Sequence, residues 1–457
     1  MSATIESRSP QRPSDVVATV PDSDRRAVAG AVASARAAGS AWAEGGAVAR
    51  ANALNEAAAI VAAAADELTT LIVREVGKPL GEAAGEVGRA VAILRYQAQA
   101  ALDPDGETYP NAAAGTALLM ARRRPRGVAG LITPWNFPIA IPLWKAAPAL
   151  AYGNAVVLKP APAASAVALR TAELLAPVLP EGLFTVVTGG AEAGTALVEE
   201  ADVVSFTGSV AVGRAVALAA AGRGVPVQAE MGGQNASIVL PDANLEAAAA
   251  MIAGAAMGYA GQKCTATSRV IVVGDPAPFT GALVAAVEGL GAGDPADKGV
   301  VVGPVISEEA RGRVVAAAGE AGAVATGGRA GSGDGWFAEP TVVTGVGPGD
   351  RIAREEVFGP ITAVLPAAGA DEAVAISNGV PYGLVTSVFT RDLDRALDLT
   401  ARLDTGMVRV NQPTAGVDFH APFGGEKDSS MGPREQGKHA RELYTSTRTI
   451  TIAPAGG

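Results

Sequence analysis

Cys264 is the only cysteine of the 457-residue chain and stands in Gly261-Gln262-Lys263-Cys264-Thr265-Ala266-Thr267-Ser268. A single thiol makes no internal disulfide and no multi-cysteine metal site. It either fills core space as a small hydrophobe or acts as a nucleophile. Its small, polar neighbours are poor core material. They suit a tight turn that exposes the sulfur beside backbone N–H groups, the setting in which a thiol reacts as thiolate. A nucleophile needs a base. The two histidines, His420 and His439, come late and lie in no cysteine-protease signature, although a Cys–His pair stays open because partners meet in space. Glu230 is the other candidate. An apolar run precedes it and Gly232-Gly233 follows, unusual flanks for a surface glutamate; the competing reading is a strand-end carboxylate facing water.

Composition narrows the partners. The formal charge is 36 − 46 = −10 with no long basic run, which argues against nucleic acid and anionic membranes as ligands. Apolar residues make up 49%, and the 56 glycines and 30 prolines are dispersed, so two or three packed domains are expected rather than a disordered tract. Met1–Ser14 has no apolar signal core. Ala247–Ala260 is short of membrane-spanning length, and Val128–Trp144 is interrupted by Pro134, Pro138 and Pro142. The expectation is a cytoplasmic protein with no membrane span and no bound metal.

The elements that must position these groups follow from periodicity. Helices are predicted over Asp22–Trp42, capped by Asp22 or Ser23, and over Ala51–Val76 and Leu80–Leu102, parted by Gly77-Lys78-Pro79. Thr116–Arg124 reads as a strand whose three closing arginines make a solvated edge or an interface. From Gly127, short β-branched strands alternate with helices, which predicts a parallel sheet with crossovers. Its strands end at Trp135-Asn136, Lys159, Gly189-Gly190, Gly208-Ser209 and Glu230. Ligands bind beyond such carboxyl ends, and this set suits a dinucleotide: glycines admit pyrophosphate at a helix N-terminus and a lysine reaches ribose hydroxyls. The G-x-G-x-x-G fingerprint is absent. After Gly233 a second αβ series begins, and Thr445–Ile452 closes the chain as a strand that pairs elsewhere.

From about Pro13 to Ile452 the chain resembles the NAD(P)-dependent aldehyde dehydrogenase superfamily. The resemblance is carried by Thr133-Pro134-Trp135-Asn136-Phe137-Pro138, Trp144-Lys145-Ala146-Ala147-Pro148, Lys159-Pro160, Phe206-Thr207-Gly208-Ser209, Glu230-Met231-Gly232-Gly233, Gly261-Gln262-Lys263-Cys264, Glu355-Glu356-Val357-Phe358-Gly359-Pro360 and Pro422-Phe423-Gly424-Gly425. It implies an α/β fold of two doubly wound parallel-sheet domains with a small β oligomerisation extension. Residues 1–106 and 126–230 would bind the dinucleotide, 231–440 would be catalytic, and 107–125 with 441–457 would join subunits into a homodimer or homotetramer. Cys264 would attack an aldehyde carbon, and the Asn136 amide and the Cys264 N–H would hold the oxyanion. Hydride would pass to NAD or NADP, and Glu230 would activate water to hydrolyse the thioester. Lys145 and Glu435 resemble a pair near the proton path. Thr133, Pro134, Trp135, Lys159, Gly208, Ser209, Glu356 and Phe358 match the cofactor set, and Ile141, Trp144 and Phe423 the substrate pocket.

The departures carry information. Pro162 stands where many members carry a ribose-binding glutamate, so repulsion toward a 2′-phosphate is removed and NADP+ should be tolerated. No leading strand is predicted before Ser7, and Ala229 replaces a larger apolar residue. The late Ser429-Ser430-Met431-Gly432-Pro433-Arg434-Glu435 and Pro413-Thr414-Ala415-Gly416-Val417-Asp418-Phe419-His420 resemble the 2,5-dioxopentanoate (α-ketoglutaric semialdehyde) dehydrogenases. Such a substrate needs a cation, for which Arg89 and Arg95 are candidates. Alternatives are another semialdehyde or an apolar aldehyde, a CoA-acylating enzyme (disfavoured by the presence of Glu230), and a non-catalytic binding or structural member of the family.

Overall fold

The computed structural model describes residues 3–112 and 117–455. Four helices lead: Arg25–Glu44, Ala47–Ala63, Ala65–Val76 and Leu80–Ala100. The cap of the first is Asp24, not Asp22 or Ser23; its carboxylate accepts the Ala27 N–H at 2.8 Å. Asp22 instead accepts the Gly190 N–H at 3.0 Å. The single helix expected over Ala51–Val76 is two, turned at Ala64 (φ −93°, ψ 14°). An alanine-rich run has little side-chain contrast to fix one direction, whereas Leu68, Ile72 and Val76 bury one firm stripe after the turn. The leading strand is also present, contrary to expectation. Thr4–Arg8 pairs antiparallel with Val16–Pro21. Its polar, largely exposed sequence carries no apolar run, so only the partner across the turn defines it.

The first large sheet has six strands in the order Ser430–Met431, Val227–Glu230, Val203–Thr207, Val128–Thr133, Ala155–Pro160, Phe184–Val186. All pairings are parallel except that of Ser430–Met431. The strand order reverses between Val128–Thr133 and Val203–Thr207. Thr133-Pro134-Trp135-Asn136 and Gly208-Ser209 therefore emerge side by side at the switch point, where a crevice opens in sheets of this kind. Chain order does not decide sheet membership: Ser430–Met431 returns to the first sheet from within 231–440, and Leu443 and Tyr444 join its core.

The second sheet has seven strands: Ala323–Thr326, Thr341–Thr344, Ile361–Ala367, Thr267–Val273, Asn235–Val239, Val385–Phe389, Met407–Val410. It is parallel except at Ala323–Thr326. Alternate residues bury on opposite faces: Ile238 and Ile271 join one core, Val239, Val270 and Val272 the other. Thr445–Ile452, Leu118–Pro125 and Gly106–Tyr109 make a third, three-stranded antiparallel sheet; Thr116 of the predicted strand lies outside the described residues. Here Arg122 pairs with Asp105 at 2.6 Å and Arg123 with Glu442 at 2.8 Å. Among the described residues no helix is long and apolar enough to cross a membrane.

Candidate active site

Glu230 ends a strand of the first sheet, and the next residues, Gly232 and Gly233, turn directly into the second. Any side chain on either would collide: a Cβ at Gly232 would fall on the Glu356 carboxylate, and one at Gly233 would lie 3.0 Å from the Cys264 carbonyl. This turn therefore brings the Glu230 strand, the Cys264 turn and the Glu356 loop together. Cys264 sits between the short 3-10 turn Gly258–Gly261 and the strand Thr267–Val273. Gly261 has φ +65°, and a Cβ there would overlap the Gly359 carbonyl. Tyr259 and Ala260 are also left-handed, at φ 54° and 52°, a local strain of the kind stored at functional sites. The Asn235 amide holds the turn through the Cys264 and Ala266 carbonyls, at 2.8 Å each.

Asn136 is buried and donates to the Gln262 carbonyl at 2.9 Å, which ties it to the cysteine turn. Its amide has a second N–H to offer. Cys264 is half-buried. Desolvation raises its thiol pKa well above the usual range, and the negative charges of Glu356, Glu230 and Glu435 raise it further; its own backbone N–H works the other way. Burial and these negative charges both favour the protonated thiol over the thiolate, so the sulfur must lose its proton as it attacks.

Glu230 is pushed up to about 8, first by burial and then by the charge of Glu435, while the Ser430 hydroxyl and Lys145 oppose the shift. Its carboxylate accepts from Ser430 Oγ at 2.6 Å and from Gln228 Nε2 at 3.0 Å. A carboxylate poised near neutral pH suits general-base work. Behind it runs a buried network. Gln228 Oε1 accepts from Ser205 Oγ at 2.7 Å, Ser205 accepts from Lys145 Nζ at 2.7 Å, and Lys145 is paired with Glu435. A carboxamide does not pass a proton without tautomerising, so Gln228 orients Glu230 rather than relaying to it. Glu435 also clasps Phe423 through two backbone hydrogen bonds, of 2.8 and 2.9 Å.

The cofactor candidates gather at the switch point. Gly208 donates its N–H to the Glu230 carbonyl at 3.0 Å, and a Cβ on it would strike the Phe206 ring. Ser209 occupies the N-cap position of the helix Val210–Gly222 but its side chain makes no capping hydrogen bond, leaving the helix N-terminus open for an anion. Lys159 is buried and donates to the Pro160 and Gly189 carbonyls at 2.9 and 3.0 Å. Burial lowers it to about 8, opposed by Asp22. Thr133 Oγ1 is buried without a partner. Trp135 packs edge-on against Phe358 at 5.8 Å. Glu356 is raised to about 7 by burial, opposed by the Gly233 N–H at 3.2 Å.

A cavity of about 240 Å³ opens over Cys264, walled by Phe137, Trp144 and Val417 together with one face of the helix Leu80–Ala100. Trp144 belongs to that wall, and Phe423 stacks behind it at 5.6 Å. Ile141 does not line the cavity; it is 1% exposed in the first core. Its helix Ala140–Ala151 is buried all round, so spacing from Trp144 and Lys145 could not tell which face meets the cavity. Several contributors escaped sequence reasoning. Ser205 and Gln228 carry a faint signal, as polar residues in otherwise apolar strands, with Gln228 two before Glu230 and hence on the same face. Phe137, Lys78 and Glu86 carry none, because their roles arise from packing between distant segments.

Residues 1–450 match the aldehyde dehydrogenase family model. The chain belongs to the aldehyde dehydrogenase family. It is 42% identical to an α-ketoglutarate semialdehyde dehydrogenase of Haloferax volcanii, over 98% of this chain and 95% of that one. It is 40% identical to an α-ketoglutaric semialdehyde dehydrogenase of Bacillus subtilis, over 85% and 82%. Among solved structures, an NAD-dependent aldehyde dehydrogenase from Sinorhizobium meliloti superposes with a TM-score of 0.95 at 34% identity, covering 99% of this chain and 92% of that one. As a member of the family, the protein is an oxidoreductase that converts an aldehyde to a carboxylic acid with a nicotinamide dinucleotide.

Proposed function

We propose that the protein oxidises 2,5-dioxopentanoate to 2-oxoglutarate, with Cys264 as nucleophile and Glu230 as the base for thioester hydrolysis. One observation carries the assignment of roles. The half-buried Cys264 turn, the Asn136 amide tied to it through Gln262, and the buried Glu230 carboxylate, whose charge bears on the thiol, lie near the Gly232-Gly233 turn that joins the two sheets. Cys264 loses its thiol proton to water in the cleft and adds to the aldehyde carbon, and the free Asn136 N–H with the Cys264 N–H holds the oxygen as it gains charge. Such donors contribute about 3–4 kcal/mol each. Glu230 then takes a proton from water as it attacks the thioester. Gln228 and Ser430 hold the carboxylate, and Lys145 with Glu435 sets its charge environment.

The residues at the switch point fit a dinucleotide. A helix N-terminus behind Gly208-Ser209 that no side chain caps by a hydrogen bond suits pyrophosphate, the buried Thr133 hydroxyl at the same strand end is left without a partner, and the third N–H of Lys159 suits a ribose hydroxyl. Glu356 would hold the second ribose, with Trp135 and Phe358 beside the ring. When bound, the nicotinamide supplies the hydride acceptor. Pro162, in place of a carboxylate, favours tolerance of NADP+ as well as NAD+. The domain division at 230/231, assembly as a homodimer or homotetramer through the exposed Thr445–Ile452 sheet, and a reducing cytoplasmic setting for the single thiol belong to the same reading.

The test is formation of reduced nicotinamide from 2,5-dioxopentanoate, succinate semialdehyde and hexanal, each with NAD+ and NADP+. Preference for 2,5-dioxopentanoate is expected; preference for hexanal would overturn the substrate while leaving the chemistry. Cys264→Ala should abolish turnover yet still bind dinucleotide in a fluorescence titration.

A further inference from the structure

One wall of the cavity over Cys264 is a single helical face. Glu82, Gly85, Glu86 and Arg89 follow one another at i, i+3, i+4 and i+7 on the helix Leu80–Ala100, and all four line the cavity. The charges on this wall sort themselves into pairs, with one left over. Glu86 takes the buried Lys78 ammonium and the N–H groups of Ile139 and Ala140, at 3.0 Å each. Lys263 donates to Glu82 at 2.8 Å. Two carboxylates thus neutralise two ammonium groups. Arg89, half-buried, has no acidic partner and no hydrogen-bond acceptor among the described residues. Its charge is the net charge of the wall.

Access to it is open. A Cβ on Gly85, one turn earlier on the same face, would meet nothing within 4 Å. Phe137, Trp144 and Val417 supply apolar surface for a short carbon chain. The volume of about 240 Å³ is at the small end of ligand sites, so a chain with its aldehyde at the sulfur has little room to avoid the wall. Arg95, on the same helix, is exposed and does not line the cavity.

We propose that Arg89 binds the carboxylate of the substrate and thereby selects carboxylate-bearing semialdehydes over uncharged aldehydes. This rests on the 2,5-dioxopentanoate reading above. A guanidinium offers a rigid fork that matches a carboxylate with two parallel hydrogen bonds, and partial burial limits the competition from water. An unpaired guanidinium half out of solvent is unfavourable by itself, and an incoming carboxylate relieves it.

The test compares the wild type, Arg89→Met and Arg89→Lys with 2,5-dioxopentanoate and pentanal, and measures inhibition by glutarate, which has the carboxylates but no aldehyde. In Arg89→Met the ratio of kcat/KM for 2,5-dioxopentanoate over pentanal should fall roughly 10- to 100-fold, chiefly through KM, as expected when a hydrogen bond to a charged group is lost. Glutarate inhibition should weaken in parallel, a readout that general structural damage would not couple to substrate charge. Arg89→Lys should keep part of the ratio, as a point charge without the fork. Should the methionine variant fail to fold, Arg89→Gln decides by the same ratio. A wild type that prefers 2,5-dioxopentanoate, with the ratio unchanged in the variants, would overturn the role of Arg89 and leave the substrate standing. A wild type that prefers pentanal would overturn both.

Discussion

The ionisation of Glu230 should set the pH at which the protein releases its acid product. With a pKa of about 8, the carboxylate is only about one-tenth ionised at pH 7 and about nine-tenths at pH 9. The base form does the work, so thioester hydrolysis should rise about tenfold across that interval and level off above it. The neighbours supply an internal control, because they act in opposite directions. Ser430 Oγ lies 2.6 Å from the carboxylate and favours its charged form. A hydrogen bond to a charged group contributes about 1.5–3 kcal/mol, and one pKa unit is about 1.4 kcal/mol, so Ser430→Ala should move the midpoint up by about one pH unit or more. Glu435 raises Glu230 by like charge, so Glu435→Gln should move the midpoint down, and the Lys145 charge thereby released acts in the same sense. The assay is rapid mixing with saturating aldehyde and dinucleotide. A burst of reduced nicotinamide reports formation of the thioester, and the later slope reports its hydrolysis. The slope, taken from pH 6 to 10 at constant ionic strength, gives the midpoint. Glu230→Gln should keep the burst and lose the slope. Midpoints that move the same way in Ser430→Ala and Glu435→Gln, or a wild-type midpoint retained in Glu230→Gln, would refute the assignment of Glu230.

Three further outcomes are expected. Gly261→Ala meets both an unfavourable φ of +65° and the Gly359 carbonyl, so it should lower stability by at least ~1–2 kcal/mol and change the alkylation rate of Cys264; an unaltered rate and melting curve would contradict the geometry. Lys78→Met strands the Glu86 carboxylate, buried under the Phe137 and Tyr259 rings with its cation. It should cost about 3–5 kcal/mol, with Lys78→Met/Glu86→Gln costing less than the sum of the single changes in denaturant unfolding. Glu75, fully buried and capping Ala166 and Val167, is raised from 4.5 to about 7 by burial. The native state therefore holds its proton to higher pH than the unfolded chain does. Stability should fall by about 3 kcal/mol as pH rises from 4.5 to 7 on account of this group, and Glu75→Gln should flatten that slope; an unchanged slope would mean Glu75 is not the source.

The candidate nucleophile and base were legible because each sits in a short stretch of unusual chemistry, a lone thiol among polar residues and a carboxylate before two glycines, whereas the oxyanion role of Asn136 came only from the family resemblance carried by Trp135-Asn136-Phe137-Pro138. The alternation of β-branched runs with helices likewise marked both sheets. Local pattern was weaker where contrast was low. The alanine-rich stretch around Ala64 hid a turn, and the polar Thr4–Arg8 hid a strand that is defined only by its partner.

What the sequence determined by itself was the inventory of reactive groups and the αβ order of the chain, since both depend on residue type and spacing along a few neighbouring positions. Tertiary structure alone decided which charges neutralise one another. Glu86 and Lys78, Glu82 and Lys263, and Glu435 and Lys145 pair across 8, 181 and 290 residues of chain, and Ser430 reaches Glu230 across 200. Electrostatic pairing acts through space between groups a few ångströms apart, and no spacing rule along the chain encodes it. The leftover charge of Arg89 follows from those pairings, and the raised pKa of Glu230 from its burial and the nearby charge of Glu435, so neither could be read before the two sheets were brought together.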